Sequence, residues 1–430
     1  MRIEKTILVA GGGWGGCAAA YSAALQGAAV ILAERTDMLL GTGLVGGIMR
    51  NNGRLTAAEE LTAMGGGALL AITDAHSRHK NITFPGHEHA RLYDTGAVEP
   101  AVRALLVQAG VTVYTGARLV LADITNGRLA AVQTAAGDRL RADVFIDATG
   151  TAGPMNLCTR YGNGCAMCVV RCPSFGGRVS LTALAGVPEW QGERPDGGVG
   201  AMSGSCKLHR SSLSPALAQQ LEQEGAAVIP LPPALRQDHL KLKACQQYAL
   251  PAFRDNLVLL DTGSPKLMTP YLPLDILRQI PGLENARYED PYAGGRGNSM
   301  RFFACAPRDN ALRVEGTDNL LCCGEKAGLL VGHTEAIVTG TLAGYNAVRL
   351  AQGLPLLELP RTLAIGEALA FTREQVRTAA GRRQKYTFSG SVLLEHLADC
   401  GLYTADTAVI RARVERAGLT GCFAGTPAGV

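Results

Sequence analysis

Residues 4–34 read EKTILVAGGGWGGCAAAYSAALQGAAVILAE, and this stretch predicts the core of the fold. The apolar run at 4–10 predicts a strand, the Ala-rich run at 14–26 a helix, and the run at 28–33 a second strand. Together they form a βαβ unit, the building block of parallel sheets. Around it the chain has 430 residues, enough for two or three domains.

Three glycines join the first strand to the helix. Gly11, Gly13 and Gly16 stand in the G-x-G-x-x-G pattern: the first allows a tight turn, the second lets the backbone approach a pyrophosphate, and the third lets helix and strand pack closely. Glu34, at the end of the second strand, is placed to accept hydrogen bonds from a ribose. The pattern therefore predicts a dinucleotide-binding site.

Two later segments distinguish FAD from NAD. VFIDATG at 144–150 ends a strand, and TDNLLCCGE at 317–325 ends on a glycine followed by an acid. In flavoproteins built from two such segments, the first passes the dinucleotide and the acid of the second binds ribityl hydroxyls. The helical stretch 333–351 then points its amino end, with His333 on it, at the flavin. The residues predicted to contact FAD here are Thr149, Gly150, Gly324 and Glu325.

These motifs resemble the FAD-dependent oxidoreductase superfamily that includes the glucose-inhibited division A proteins. They are most similar to the folate- and flavin-dependent tRNA uracil methyltransferases, on the Gly-rich start, FIDATG and the segment 319–353, NLLCCGEKAGLLVGHTEAIVTGTLAGYNAVRLAQG. The resemblance implies FAD as cofactor. It also implies a cysteine in the loop after the second strand for methylene transfer, where this chain has Gly41-Thr42-Gly43-Leu44.

The expected fold is α/β: a Rossmann-like FAD-binding domain of the glutathione-reductase type, an inserted α+β substrate domain and a helical C-terminal region. The boundaries that we expect are 1–155 and 301–352 for the two parts of the FAD-binding domain, 156–300 for the cysteine-rich substrate domain, and 353–430 for the helical region. A three-stranded meander is expected within 118–148, at the turn pairs Asn126-Gly127 and Gly137-Asp138.

A cysteine cluster follows the FIDATG strand. Its C-x2-C-x3-C-P spacing is part of a pattern that holds a [4Fe-4S] cluster, and the same thiols next to a flavin also fit a redox dithiol, a zinc site or inert residues. We expect Cys165 and Cys168 to be redox-coupled to the flavin, with His333 as a further catalytic candidate. The predicted metal ligands are Cys158, Cys165, Cys168 and Cys172.

Weaker candidates fit ordinary structural roles. His87 and His89 fit an exposed polar loop, and Arg296 and Arg301 fit either turn residues or an anion clamp. The basic run near Arg382-Arg383-Lys385 is expected to be a solvated helix face. The cysteines expected to be packing residues are Cys17, Cys245, Cys322 and Cys323.

Composition limits the class of partner. Lys plus Arg number 41 against 37 Asp plus Glu, and this net charge of +4 gives no strong footprint for nucleic acid, which is therefore not expected as a partner. Glycines interrupt the apolar segment 6–33, so we expect no membrane segment and a cytoplasmic protein. The sequence does not distinguish a monomer from a homo-oligomer.

We therefore predict an FAD-dependent oxidoreductase that passes electrons between a small-molecule or protein redox partner and a cysteine-based redox centre. The alternative is an enzyme like the folate- and FAD-dependent RNA uracil methyltransferases.

Overall fold

The computed structural model describes residues 4–151, 171–198, 200–203, 206–238, 240–243, 245–269, 272–289 and 299–425. The strands of the first part are β1 (Thr6–Ala10), β2 (Ala29–Ala33), β3 (Ile48–Met49), β4 (Ser77–Phe84), β5 (His87–Tyr93), β6 (Thr112–Tyr114), β7 (Leu119–Thr125), β8 (Arg128–Thr134), β9 (Arg139–Arg141) and β10 (Val144–Asp147). The later strands are β11 (Trp190–Gln191), β12 (Ala201–Ser203), β13 (Cys206–Lys207), β14 (Ala226–Pro230), β15 (Asn256–Thr262), β16 (Ser264–Leu267), β17 (Ser299–Arg301), β18 (Ala304–Cys305) and β19 (Leu320–Cys322).

The helices before the last parallel strand are mostly short. They are α1 (Trp14–Leu25), α2 (Gly43–Gly46), α3 (Gly53–Ala63), α4 (Ala68–Ala75), α5 (Val98–Gln108), α6 (Cys172–Phe175), α7 (Leu181–Leu184), α8 (Pro215–Glu224), α9 (Ala252–Asp255) and α10 (Leu274–Leu277). The later helices are α11 (His333–Ala351), α12 (Ala364–Val376), α13 (Ala379–Arg382), α14 (Ser391–Asp399) and α15 (Thr407–Arg416). Short 3-10 helices connect several of these elements, including Gln246–Tyr248 and Gly324–Ala327.

A parallel sheet lies at the centre of the fold. Its strand order is β19-β10-β1-β2-β6, and every neighbouring pair is parallel. Ile7, Leu8 and Val9 of β1 are fully buried, because a parallel sheet is covered on both faces and its strands are apolar throughout. This sheet and the helices α12 to α15 of the C-terminal region confirm the predicted fold class.

Helices α1 and α11 lie against each other in close backbone contact. A Cβ on Gly340 would meet the backbone oxygen of Gly15, and a Cβ on Gly344 would meet that of Ala19. Small residues at these positions therefore let the two helices approach closely. Their amino ends both lie at the edge of the sheet where β1, β10 and β19 end, which assembles the site described below.

The connecting regions follow the expected local patterns in part. Strands β7, β8 and β9 form the predicted antiparallel meander, and Asn126 and Gly127 take positive φ angles of 51° and 78° in its first turn. A second antiparallel sheet has the order β13-β16-β15-β14, and a third the order β3-β5-β4. Ile48 and Phe84 from the third sheet share an apolar cluster with Tyr248 and Val258.

The C-terminal region is tied to the rest of the chain by a buried acid. Glu60 of α3 accepts hydrogen bonds from the backbone N–H groups of Ala364 (2.8 Å) and Ile365 (2.9 Å) at the start of α12. A carboxylate at a helix amino terminus satisfies N–H groups that lack a partner within the helix. Among the helices of the described residues, none has the length and apolarity that crossing a membrane requires.

Candidate functional site

A long cavity opens at the carboxyl edge of the central sheet, between that sheet and the second one. It holds about 1840 Å³ of empty space, part of it open to solvent. Its walls include Gly11 and Gly13, Glu34, Thr149 and Gly150. The three segments predicted to bind FAD thus border one continuous space, since Gly324 and Glu325 also line it.

The three glycines of the first motif differ in what surrounds them. Gly11 has φ +99°, and a Cβ there would lie 2.6 Å from the oxygen of Ala148. A Cβ on Gly16 would run into the oxygen of Gly11. A Cβ on Gly13, by contrast, would have no atom within 4 Å. Folding therefore requires glycine at Gly11 and Gly16, whereas the space beside Gly13 is kept clear for something else.

Glu34 is fixed at the end of β2. One carboxylate oxygen accepts a hydrogen bond from the backbone N–H of Gly12 (2.6 Å), and the other accepts from the N–H and hydroxyl of Thr36 (2.8 and 2.9 Å). The side chain is 8% exposed and faces the cavity. This orientation fits the ribose-binding role predicted from the sequence.

The segments after β10 and β19 meet through side chains. Thr149 donates its hydroxyl to Asp147 (2.6 Å), and Glu325 accepts a hydrogen bond from the hydroxyl of Thr151. Glu325 also forms an ion pair with Arg301, whose guanidinium donates to Thr151 at 3.2 Å. Burial lowers the pKa of Arg301 to about 10. The anion-clamp candidate Arg301 thus lies in the cavity wall, whereas Arg296 lies outside the described residues.

His333 is the first residue of α11 and lines the cavity. The hydroxyl of Tyr93 donates to the oxygen of Gly43 (2.7 Å), so at the 3.3 Å contact between Tyr93 and Nδ1 of His333 the imidazole is the donor. Burial and the positive charges of Arg54 and Lys266 hold the pKa of His333 well below its ordinary value. His333 is therefore a neutral imidazole that presents Nε2 as its acceptor.

A buried ion pair, which the sequence did not reveal, supports this helix. Nε of Arg54 donates to both carboxylate oxygens of Glu335 at 3.1 Å, and both side chains are almost fully buried. The same carboxylate accepts from the backbone N–H of Phe388 (2.9 Å). The pair joins α3, α11 and the segment before α14 directly behind the cavity.

The far end of the cavity is formed by β16 with the residue that follows it, and by residues 243 and 245–247, which lie between β14 and β15. Lys243, Cys245, Gln247, Lys266 and Met268 line it. Cys245, a predicted packing residue, is half-buried: it packs against the apolar core and also lines the cavity. Its position becomes visible only once the chain is folded, because this stretch carries no motif.

The weaker candidates His87, His89 and Lys385 differ in how deeply they are buried. His87 lies in β5 rather than in an exposed loop: it is 1% exposed, packs against Phe84 and Tyr248, and burial lowers its pKa to about 3. His89 is partly exposed and contacts Asn81. Lys385 does not belong to a solvated face, because it is 4% exposed and its ammonium donates to the oxygen of Glu193 (3.0 Å).

The cysteines divide into two groups. Cys158, Cys165 and Cys168 lie outside the described residues, and Cys172 lies half-buried at the start of α6. The packing role expected of three others agrees with their burial, since burial raises the thiol pKa far above its ordinary value at each of them: Cys17, Cys322 and Cys323. Such thiols stay protonated and are poor partners for redox chemistry.

The comparisons with protein families agree with this geometry. Residues 6–158 match the family FAD dependent oxidoreductase, and residues 255–355 match Glucose inhibited division protein A. Among solved structures, GidA of Aquifex aeolicus in its form II crystal has a TM-score of 0.68 at 15% identity, covering 97% of this chain and 74% of that chain. The form I crystal gives 0.61 at 14% identity, with 96% and 79% covered.

Curated relatives match over shorter stretches. The methylenetetrahydrofolate–tRNA-(uracil-5-)-methyltransferase of Picosynechococcus sp. is 38% identical over 98 residues, 22% of this chain and 20% of that protein. The enzyme of the same name from Dictyoglomus thermophilum is 33% identical over 101 residues, 24% and 22% respectively. The matched part thus spans about a fifth of the length of these relatives.

Fold, cavity and family matches agree, and the chain resembles the FAD-dependent oxidoreductases. Within that superfamily it is similar to the glucose-inhibited division A proteins and the folate-dependent tRNA uracil methyltransferases, as the sequence motifs predicted.

The main predicted function is wrong. The curated relatives are named as methyltransferases and residues 255–355 match Glucose inhibited division protein A, and these findings favour the alternative over electron passage to a cysteine-based centre. The spacing of four cysteines misled the prediction, because a spacing shared by several kinds of site does not identify one. The family matches support FAD and give no support to an iron–sulfur cluster.

Proposed function

We propose that this chain is a folate- and FAD-dependent enzyme that methylates C5 of a uracil base in RNA. One observation carries the proposal beyond the resemblance: the Cys245 thiol lies in the wall of the cavity that the FAD-binding segments border. Adding a nucleophile to C6 of uracil activates C5 toward a one-carbon electrophile, and a thiol is suited to that addition. The loop 41–47 contains no cysteine, so Cys245 takes the part of nucleophile.

The residues around the cavity fit FAD. The clear space beside Gly13 suits a pyrophosphate, Glu34 suits the adenosine ribose, and Glu325 suits the ribityl chain. When bound and reduced, FAD supplies the hydride that turns a transferred methylene group into methyl. His333, neutral at the amino end of α11, is placed to accept a hydrogen bond from a bound group at Nε2.

Two arginines hold other groups of the cavity wall in position. Arg301 holds Glu325 toward the cofactor segments, and Arg54 holds α11 in place through Glu335. Both guanidinium groups are paired, so they position neighbouring groups rather than bind substrate by charge.

RNA is proposed as the substrate although the net charge predicts no nucleic-acid partner. The curated relatives, which are named as tRNA methyltransferases, oppose that prediction. A net charge of +4 does not exclude RNA, since the recognition of one base depends on a local site. A cytoplasmic location and the four predicted domain ranges remain part of the proposal.

The proposal is tested by incubating the FAD-loaded protein with methylenetetrahydrofolate, a reductant for the flavin, and an unmodified tRNA transcript. Digestion and mass spectrometry of the RNA should reveal 5-methyluridine, and Cys245→Ser should abolish it while retaining FAD. Cys400→Ser, which changes an exposed cysteine, is the matched control and should keep full activity. Absence of 5-methyluridine with the wild-type enzyme over a range of tRNA transcripts would rule the proposal out.

A further inference from the structure

Two buried lysines line the far end of the cavity without an acidic partner among the described residues. Lys243 is 4% exposed and Lys266 is 5% exposed. Lys243 donates to the backbone oxygen of Met268 (3.1 Å), and Lys266 donates to that of Gly46. Neither forms an ion pair with a carboxylate in the described part of the chain, whereas the cavity's guanidinium groups at Arg54 and Arg301 both do.

Keeping these ammonium groups buried is costly for the protein. Removing a charge from water without pairing it carries a large desolvation penalty. Burial accordingly lowers the pKa of each lysine from 10.5 to about 7. A buried methionine would fill similar space without that penalty, so packing does not account for either lysine.

Strand pairing adds to the cost at Lys266. Lys207 of β13 lies directly opposite Lys266 of β16, and like charges at opposed positions destabilise a sheet. The Lys207 ammonium donates to Thr95 (2.7 Å) and to the oxygen of Leu44 (3.1 Å). Both lysines therefore point at the loop 41–47, which also borders the cavity.

A negatively charged group beside Cys245 would balance the positive charge of Lys243 and Lys266. Cys245 lines the same part of the cavity wall as Lys243 and Lys266, and a thiolate there would raise the pKa of both ammonium groups. Lys243 is directed toward the oxygen of Met268, just after β16, and its ammonium lies 4.8 Å above the ring of Phe253. Lys266 instead reaches the loop beside His333, toward the cofactor segments.

We propose that Lys266 is the oxyanion donor of the reaction, binding the C4 carbonyl oxygen of the uracil ring; this inference rests on the proposed function. When the Cys245 thiolate adds to C6, the S–C6 bond forms and the C5=C6 electron pair moves to give an enolate on O4. The Lys266 ammonium lies ready to stabilise that charge as it develops. No proton or electron is lost in this step. After C5 has formed its new carbon bond, the C5 proton is removed by a base, the C5=C6 bond forms again, and the C6–S bond breaks to release the thiolate.

The test uses a substrate that traps the adduct. The FAD-loaded enzyme is given methylenetetrahydrofolate and a tRNA transcript containing 5-fluorouridine, whose C5–F bond blocks the final elimination. Mass spectrometry then follows the covalent adduct on the peptide that contains Cys245. Removing an oxyanion donor typically costs about 10²- to 10³-fold in rate, so Lys266→Met should slow adduct formation by that factor.

Three controls test whether the charge of Lys266, rather than its structural role, determines the rate of adduct formation. Lys266→Arg keeps a cation in place and should recover most of the rate, which a purely structural role would not require. Lys241→Met changes an exposed lysine of the neighbouring segment and should react as the wild type does. FAD content and thermal unfolding confirm that each variant is folded, and Lys266→Gln replaces Lys266→Met if that variant is not.

The outcomes separate the two proposals. If the wild type forms no adduct at Cys245, the proposed function fails, and the oxyanion role fails with it. If the wild type forms the adduct and Lys266→Met forms it equally fast, only the role of Lys266 is refuted.

Discussion

Replacing Gly13 by valine should remove FAD and leave the fold intact. Its backbone angles, φ −67° and ψ −178°, are open to any L-residue, and a Cβ there meets no atom within 4 Å. A substitution of this kind changes the unfolding free energy of the cofactor-free protein by about 1 kcal/mol or less. The added side chain projects into the space assigned to the pyrophosphate, so the substitution weakens FAD binding and not folding.

The size of the binding loss can be stated as a stability difference. With free FAD at about 100 times its dissociation constant, binding stabilises the wild type by about 2.7 kcal/mol, and Gly13→Val should lose that increment. The assay compares thermal unfolding of cofactor-stripped wild type and variant, each with and without added FAD.

Gly16→Ala provides the contrast, because its Cβ would meet the oxygen of Gly11 inside the fold. That variant should unfold more easily even without FAD. Gly13→Val purified with one tightly bound FAD per chain would refute the placement of the cofactor.

Three further expected outcomes concern charge and thiols. Since the pKa of Lys243 and of Lys266 is lowered to about 7, the folded state binds fewer protons than the unfolded state between pH 7 and about 10.5. In urea titrations the free energy of unfolding should therefore rise with pH in this range, by up to about 1.4 kcal/mol per pH unit for each lysine. The slope should be smaller in Lys266→Met. Arg54→Met leaves Glu335 as an unpaired buried charge and should cost about 3–5 kcal/mol by urea denaturation, much of which Arg54→Met with Glu335→Leu should recover. Cys323 should resist iodoacetamide in the native protein, because burial holds its pKa well above the ordinary value; rapid labelling without unfolding would contradict this.

The elements that the sequence predicts best are those with strong local signals. Helix 333–351 has the same bounds in the prediction and in the structure, because an apolar pattern of helical period marks it. The βαβ unit is equally clear, since a glycine pattern directly between a strand and a helix is typical of dinucleotide-binding folds.

The far end of the cavity could not be predicted in this way. Cys245 and Lys266 are 21 positions apart in a stretch without a motif, and they line the same cavity only because β15 and β16 fold back beside that segment. Arg54 and Glu335 are separated by 281 positions, and nothing in either neighbourhood indicates the other. Long-range pairing of this kind is a property of the tertiary fold.

Whether flavin, folate and a uracil base react in one cavity can be measured in a single turnover. Reduced enzyme is mixed without oxygen with methylenetetrahydrofolate and unmodified tRNA, and the visible absorbance of the flavin is followed while the RNA is sampled for 5-methyluridine. We expect the flavin to be reoxidised only when both substrates are present, with one 5-methyluridine formed for each flavin. A flavin that stays reduced with both substrates, or is reoxidised without any 5-methyluridine, would contradict the proposed reaction.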